Sequence, residues 1–416
     1  MDRSDVLVVG AGPAGSTAAF FLAQRGHDVL VVEEHPRIGY PVQCAGLVSQ
    51  RVLDLAGTHG MVRTAVHGAS VFSPSFKSID FKAAEPRAYV IDRAGLDIAL
   101  AERAAAAGAR IEVATSFLRL ERAPNGGVDV RLRGESGDER VHHTQLVVGA
   151  DGVSSAVARA FRLRRPVEIL PAFEAEFPSS PGDADQVEVY LSNQLAPGLF
   201  GWWIPDGAGG ARVGVAVRAG SVTARAYYDR LVHRLESRFG KPLPKPVNYL
   251  VSGIPIGVLP RTFGPRVVLV GDSAAQVKPL SGGGIFVGMR CAEIAADVLQ
   301  EVLRSGDFST TAIGRYETLW KAEFGDEFSQ AHYLRRLFVR LTDADLEAII
   351  EALRAANMRE TIVAFGDIDF PTHVARRLLR QSPALLRLFP KALGALLSSG
   401  EPRAPDLEPG PRRAIT

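Results

Sequence analysis

Between Phe263 and Ile285 an apolar run, Val267 to Val270, ends in Gly271-Asp272. Pro279 and three consecutive glycines (Gly282, Gly283, Gly284) then lead through Ile285 into a helix-like segment, Phe286 to Leu299. A carboxylate at the end of a buried strand can accept a hydrogen bond from a sugar-like hydroxyl. The free backbone N–H groups at Gly282 to Ile285 can face an electron-rich ring edge. A second glycine-rich turn stands far upstream, where Val6 to Val9 run into Gly10-Ala11-Gly12-Pro13-Ala14-Gly15. GxGxxG spacing lets the main chain approach a pyrophosphate that side chains would block, which makes Gly10, Gly12, Ala14 and Gly15 candidates for that contact. Glu33, at the end of the next apolar run, is placed to accept from ribose hydroxyls, whereas strand alternation turns Glu34 the other way.

Together the two ends describe a chain wrapped around flavin adenine dinucleotide (FAD). Asp151-Gly152 follows a further apolar strand, and Asp151 joins the cofactor candidates, although an Asp-Gly pair also describes an ordinary turn. Arg93 reads either as a cofactor-side cation or as a surface residue, and so does Arg159.

The elements that must position these residues follow from periodicity. Residues 5–34 read strand, glycine turn, helix (Ala14 to Gln24, stopping near Gly26) and strand. Strands are expected between Val66 and Val90, over Val113 to Leu120, Val128 to Leu132 and Glu139 to Val148, with a helix over Arg93 to Ala107. Residues 165–260 hold β-like runs broken by Gly and Pro, as an antiparallel sheet would. The expected fold is α/β: a Rossmann-type FAD-binding domain, an inserted antiparallel-sheet substrate domain and a C-terminal helical region. The corresponding boundaries are 1–65, 88–164 and 265–300 for the FAD-binding domain; 66–87 and 165–264 for the substrate sheet; 301–398 for the helices; and 399–416 for a disordered tail. Leu/Arg-rich runs at Tyr333 to Thr342 and Leu378 to Leu397 suit amphipathic helices, packed on the main body or laid on anionic lipid.

Composition removes several classes. The 416 residues are 46% hydrophobic, enough for a large core in two or three interlocked units. A net charge of +2 gives no field for nucleic acid. Cys44 and Cys291 are the only cysteines, without CxxC spacing or a metal-like Cys/His cluster, so no metal and no structural disulfide is expected. The first strand starts by residue 5, which leaves no room for a signal peptide, and no apolar stretch approaches the ~20 residues of a membrane span. A cytoplasmic protein is expected, with peripheral membrane contact open and the oligomeric state unread.

Three segments carry a family resemblance: Gly39-Tyr-Pro-Val-Gln-Cys44-Ala-Gly46, Phe200-Gly-Trp202-Trp203-Ile-Pro205, and Gly271 through Gly284. They resemble the flavoproteins with the p-hydroxybenzoate hydroxylase-like fold, and within these the geranylgeranyl reductase family, over about residues 5–300. The family's Tyr-x-Trp-x-Phe-Pro motif is met at Trp202 and Pro205, with Phe200 in place of Tyr and Ile204 in place of Phe. The resemblance implies reduction of isoprenoid C=C bonds by reduced flavin, with Cys44 near the flavin in proton delivery or gating. Phe200, Trp202, Trp203 and Pro205 would then line an apolar wall for a prenyl chain, with Trp202 at the reacting end. Read from periodicity alone, the same strand is an ordinary aromatic core strand, and Cys44 a small buried residue. Lys278 and Ser281 match the glycine-rich flavin segment without a defined role.

Two other classes stay open at this point. Phe200 to Pro205 nearly matches the Trp-x-Trp-x-Ile-Pro pattern of flavin-dependent halogenases, with Lys77 or Lys82 as the candidate lysine. An oxygen-using hydroxylase is the neighbouring reading, but Ala275 stands where that family has His, and Phe286 where it has Asn. A prenyl-lipid-binding protein with structural FAD is the third class. No second complete dinucleotide-binding unit is visible, so the external reductant would be transiently docked NADPH or a small iron–sulfur protein such as ferredoxin.

Overall fold

Val6 to Val9 and Val29 to Val32 are apolar without alternation, the pattern of strands buried on both faces. In the computed structural model, which describes residues 2–122, 126–164, 166, 168–355, 358–383 and 385, both form the centre of an eight-stranded sheet. Its main path runs Phe263–Gly264, Val267–Leu269, Glu139–Gly149, Asp2–Val9, Val29–Val32, Arg110–Glu112. The four strands from Val267–Leu269 to Val29–Val32 are parallel, and Val128–Arg133 with Ser116–Arg122 extends Glu139–Gly149 as an antiparallel arm. Register aligns Val9 with both Val32 and Gly149, and Gly149 with Leu269. The turns after three strands, at Gly10, Ala150-Asp151 and Val270-Gly271-Asp272, therefore emerge side by side at the carboxyl edge, where open α/β sheets bind ligands.

The Pro13–Gln24 helix starts with proline at its first position, where the missing N–H costs nothing. It packs against Ile285–Ser305 through Ala18, Ala19, Leu22, Ile294, Ala295 and Val298. The latter helix extends to Ser305, beyond the expected Leu299, because its stop signal is Gly306 in the left-handed region. The single strand expected over Val113 to Leu120 divides, since Glu112 ends its pairing with Val32 and the chain turns, Ala114 at φ 49°, before the arm begins.

A seven-stranded sheet follows the order Asn248–Ile256, Glu168–Phe177, Ala211–Ala216, Phe200–Pro205, Gln186–Tyr190, Gly68–Phe72, Ser78–Lys82. It is antiparallel except where Gln186–Tyr190 meets Gly68–Phe72. The Ala224–Phe239 helix covers one face, packing Tyr228, Leu231 and Leu235 against Phe173, Trp203, Val213 and Val215. The opposite face carries Phe200, Trp202 and Ile254 and packs with Val277. A three-stranded sheet of Leu47–Val48, Ala88–Ile91 and Val62–Val66 lies between them in sequence.

Helices Thr310–Phe338, Asp343–Ala355, Arg359–Phe365 and Pro371–Gln381 follow. The apolar side of the Tyr333–Thr342 run is covered: Tyr333, Leu334 and Leu337 pack with Ile349, Leu353, Leu378 and Leu379. Most of the Leu378–Leu397 run and the whole 399–416 tail lie outside the described residues. No helix among the described residues is long and apolar enough to cross a membrane.

Candidate active site

The first half of the site is backbone. Gly10 sits at φ 102°, a region other residues avoid, and a methyl group on it would lie 2.4 Å from the Ala150 carbonyl oxygen. A methyl group on Gly15 would lie 1.9 Å from the Gly10 oxygen, so the helix can start this close to the strand only without a side chain. Gly12 differs: nothing stands within 4 Å of the position its methyl group would take. That open space lies at the positive end of the helix. Glu33 reaches back over the turn, accepting from Ala11 N at 2.9 Å and from His35 N at 3.0 Å, with His35 Nδ1 2.6 Å from Oε1. A carboxylate has about four acceptor positions, which leaves capacity for a ribose hydroxyl.

Asp272 follows the third strand and faces Gly284, whose methyl group would come 3.2 Å from Oδ1. Its carboxyl accepts no hydrogen bond from the described residues, and burial raises it to about 6 against the opposing charge of Arg93. The Ser281 hydroxyl is buried and has no partner among the described residues. Gly284 caps the 21-residue helix that begins at Ile285 without any side-chain cap, leaving its first N–H groups free. A cradle open at Gly12, an uncommitted half-buried carboxylate, an orphaned hydroxyl and a bare helix N-terminus together fit FAD.

Asp151 departs from its expected part. Its carboxylate is occupied at the start of the Ala156–Ala160 helix, accepting from Ser155 Oγ (2.6 Å), Ala156 N (2.6 Å) and Val157 N (3.0 Å). Only its main chain borders the Gly10 turn. Arg159 is exposed and donates to the Ser154 carbonyl. Arg93 lies inside, with a bidentate bond to Asp97 at 2.8 and 3.0 Å. Burial works against its charge, but Asp97 and then Cys44 sustain it, and the net effect is upward.

The second half is made of side chains. Strand period two splits the Phe200–Pro205 segment: Phe200 and Trp202 lie on the face that packs with Val277 of the glycine-rich segment, whereas Trp203 and Pro205 point to the covering helix. Trp203 is fully buried there, its ring centre 6.5 Å from Phe177 and 5.5 Å from Phe239. The expectation that Trp203 and Pro205 line the same wall as Trp202 is thus corrected. Trp202 lies across Gly214, its partner in register, whose methyl group would come 2.5 Å from the indole. Cys44 meets Trp202 at a pocket of about 20 Å³, room for a single water molecule, walled also by Gln43, Ala45, Ala172, Glu174, Leu250 and Ser252.

Glu174 was not among the sequence candidates. It is 4% exposed. Its Oε2 accepts from Trp202 Nε1 at 2.6 Å, while Oε1 has no partner among the described residues. Burial raises its carboxyl to about 7, opposed by the Trp202 bond and Arg212 and reinforced by Glu176. Arg212, also 4% exposed, donates to the Ala45 carbonyl at 2.7 Å and pairs with Glu176 at 3.2 Å, pinning the Cys44 turn to the sheet. The C-terminal region supplies a further wall. Lys278 donates to the Ile368 carbonyl (2.6 Å) and pairs with buried Asp369 (3.1 Å), and Ile368 packs with Ala45, Ile204 and Trp202.

Lys77 and Lys82 stand at the outer edge strand in exposed pairs with Glu351 (2.7 Å) and Asp185 (2.7 Å), away from this pocket. No group of His, Cys, Asp or Glu among the described residues could hold a metal ion.

Residues 3–318 match the FAD binding domain family. The digeranylgeranylglycerophospholipid reductase of Methanocaldococcus jannaschii is 33% identical over 395 residues, which span 93% of this chain and 98% of the relative. The crystal structure of a geranylgeranyl bacteriochlorophyll reductase-like protein from Thermoplasma acidophilum is 27% identical, with a TM-score of 0.82 over 95% of this chain and 99% of that one. A flavin-dependent halogenase, 19% identical with a TM-score of 0.68 over 93% of this chain and 77% of its own, shares the fold alone. The glycine cradle, the Cys44 turn and the extent of these similarities lead to one assignment: the chain belongs to the geranylgeranyl reductase family of FAD-dependent oxidoreductases.

Proposed function

We propose that this protein saturates C=C bonds of a geranylgeranyl or other polyprenyl chain. The observation that carries the reading is the meeting of Cys44 and Trp202 at one water-sized pocket, beside the Phe200 and Trp202 face that packs with Val277 of the glycine-rich segment. Support comes also from the Methanocaldococcus jannaschii relative, a digeranylgeranylglycerophospholipid reductase. An unactivated alkene offers no carbonyl to polarise, so holding it in register does most of the work; orientation can offset roughly 7–11 kcal/mol of a barrier. Bound FAD, once reduced, supplies hydride from N5.

The chain's own residues do the rest. Gly10, Gly12, Ala14 and Gly15 admit the pyrophosphate, Glu33 the ribose, and Asp272 with Gly282 to Ile285 the remaining polar edge. Asp151 contributes main chain only, and Arg93 supports Cys44 from behind. Phe200 and Trp202 form the apolar wall, and each buried CH₂ of a prenyl chain contributes roughly 0.8 kcal/mol. Cys44 holds a proton at Sγ for the second alkene carbon, in a turn fixed by Arg212. The work divides between residues 1–65, 88–164 and 265–300 on the cofactor side and 66–87 and 165–264 on the substrate side. The 301–398 region closes the site through Ile368. The external reductant is NADPH docked transiently, or a ferredoxin, and a lipid substrate places the enzyme at the membrane periphery.

The test is anaerobic. Flavin reduced with dithionite is mixed with geranylgeranyl diphosphate or a geranylgeranylated lipid, and reoxidation is followed together with product mass. A gain of two mass units per saturated bond is expected. Cys44→Ser slows this step more than flavin reduction. Flavin that stays reduced with both substrates until oxygen enters, followed by hydroxyl or halide incorporation into an aromatic acceptor, overturns the reading.

A further inference from the structure

Buried carboxyls normally find partners for both oxygens, and leaving one unmatched is expensive. Glu174 is buried with Oε2 tied to the Trp202 indole and Oε1 unpartnered among the described residues, on the wall of the pocket it shares with Cys44. An indole N–H needs one acceptor, which a glutamine would provide equally well. The second oxygen is explained if it carries a proton and faces the place where one is consumed. Resting on the alkene-reductase reading, we propose that Glu174 is the proton-relay acid of this site, giving its proton from Oε1 to Cys44 as Cys44 protonates the substrate carbon.

The step balances. Hydride from the reduced cofactor brings both electrons and forms the first C–H bond, and the alkene π pair forms the second with the proton of the Cys44 thiol. The sulfur regains a proton as the Oε1–H bond of Glu174 breaks with its electron pair left on oxygen. Water then reprotonates the carboxylate. Substrate is reduced and flavin oxidised, each by two electrons.

The surroundings favour a neutral Glu174 near neutral pH. Leu250 and Ser252 face it from one neighbouring strand, Trp202 and Arg212 from the others, and Glu176 from its own. Arg212 is the one opposing charge among the described residues, and its donors are directed to Glu176 and the carbonyls of Ala45 and Ile91. Tyr228, from the covering helix, feels Glu174 across the sheet.

Two measurements test the proposal. Infrared difference spectra of the FAD-bound protein from about pH 5.5 to about pH 8.5 should show a protonated carboxyl band titrating near pH 7 in wild type and missing in Glu174→Gln. A Glu174 ionised throughout that range overturns the proposal whatever the activity. In anaerobic single turnover, wild-type reoxidation by the prenyl substrate should slow as pH rises through about 7, and Glu174→Gln should be about 100-fold slower with flavin reduction unchanged. Glu174→Gln keeps an acceptor for Trp202, so folding is spared, and Trp202→Phe should retain the pH profile with a shifted midpoint. Wild-type turnover matched by Glu174→Gln overturns the relay and leaves the reductase intact. A wild type inert to every prenyl substrate overturns the reductase reading and the relay with it, even where the carboxyl titrates.

Discussion

At the eight-stranded sheet the site is built of main chain: glycine turns, a bare helix N-terminus and two carboxylates at strand ends. At the seven-stranded sheet it is built of side chains, with Trp202, Glu174 and Arg212 projecting from one face and Cys44 lowered onto them by a loop. The first half depends on where side chains are absent, and the second on which of two faces each residue takes. A cofactor half of this kind tolerates little change at a few glycines. The substrate half can exchange wall residues while its frame stays constant, which is where specificity within a fold is set.

The sharpest break of this contrast is at the glycines themselves. In Gly15→Ala the new methyl group would meet the Gly10 carbonyl at 1.9 Å, backbone against backbone, with nothing able to give way. A loss above about 4 kcal/mol is expected, seen as failure to fold or a collapse of Tm. Gly12→Ala meets no atom of the described residues within 4 Å. Its apoprotein should melt within about 2 °C of wild type, while FAD titration should show affinity lowered by about 100-fold, or about 2.7 kcal/mol. Equal stability losses in the two variants would mean that the open space at Gly12 is not the pyrophosphate cradle.

The adjacent tryptophans test the other half. Trp203→Ala empties a fully buried site and should cost about 3–5 kcal/mol of stability, leaving prenyl chain-length preference alone. Trp202→Ala, half-exposed beside Cys44, should do the reverse: a smaller stability change and the largest activity loss on the longest chains. A shifted chain-length preference in Trp203→Ala would show that the strand faces are assigned the wrong way round.

How much of this was legible in the sequence follows the same division. Glycine spacing announces a backbone site because only glycine permits the φ of Gly10 and the approach at Gly15, and Glu33 and Asp272 lie at fixed offsets from those turns. Side-chain sites carry no such mark. Trp202-Trp203 shows two aromatics in a row, and without register nothing says which one faces the cofactor. Glu174 alternates with Phe173 and Ala175 and reads as the wet side of a half-buried strand. It is buried because the Cys44 turn covers that side, with Gln43, Cys44 and Ala45 walling the same pocket. A sheet bracketed by nucleotide-binding segments was the available signal that both faces would be covered. Lys278 found its partner, Asp369, 91 residues downstream, beyond any local pattern.

Glu174 and Asp272, one carboxyl with a raised pKa in each half, extend the contrast to pH. The Glu174 carboxyl is raised by burial from 4.5 to about 7, so its contribution to stability is fully present below about pH 4.5 and is lost as pH rises to about 7. Glu174→Gln lacks that loss. Its stability relative to wild type should grow across this window, by about 3 kcal/mol at most, and stay level above it. A parallel Tm–pH curve for the two proteins would place the Glu174 carboxyl near its ordinary range.

Asp272 is expected to give the smallest effect and one of opposite direction in its ligand. Burial raises it from 3.8 to about 6 in the FAD-free chain, with Arg93 opposing. A hydroxyl of FAD donating to this carboxyl favours the ionised form, so cofactor affinity is full above about pH 6 and falls as pH drops through it. The expected loss is about tenfold, or about 1.4 kcal/mol, for the first unit below that point. Asp272→Asn should weaken binding at neutral pH and flatten the dependence, as read by FAD fluorescence titration of apoprotein at several pH values. A slope that survives in Asp272→Asn would assign the proton to another group at the cradle. A binding curve flat in both proteins would mean that Asp272 meets no cofactor hydroxyl. The backbone half would then hold FAD through Glu33, the glycine turns and the helix N-terminus, without a charged group at the carboxyl end of the third strand.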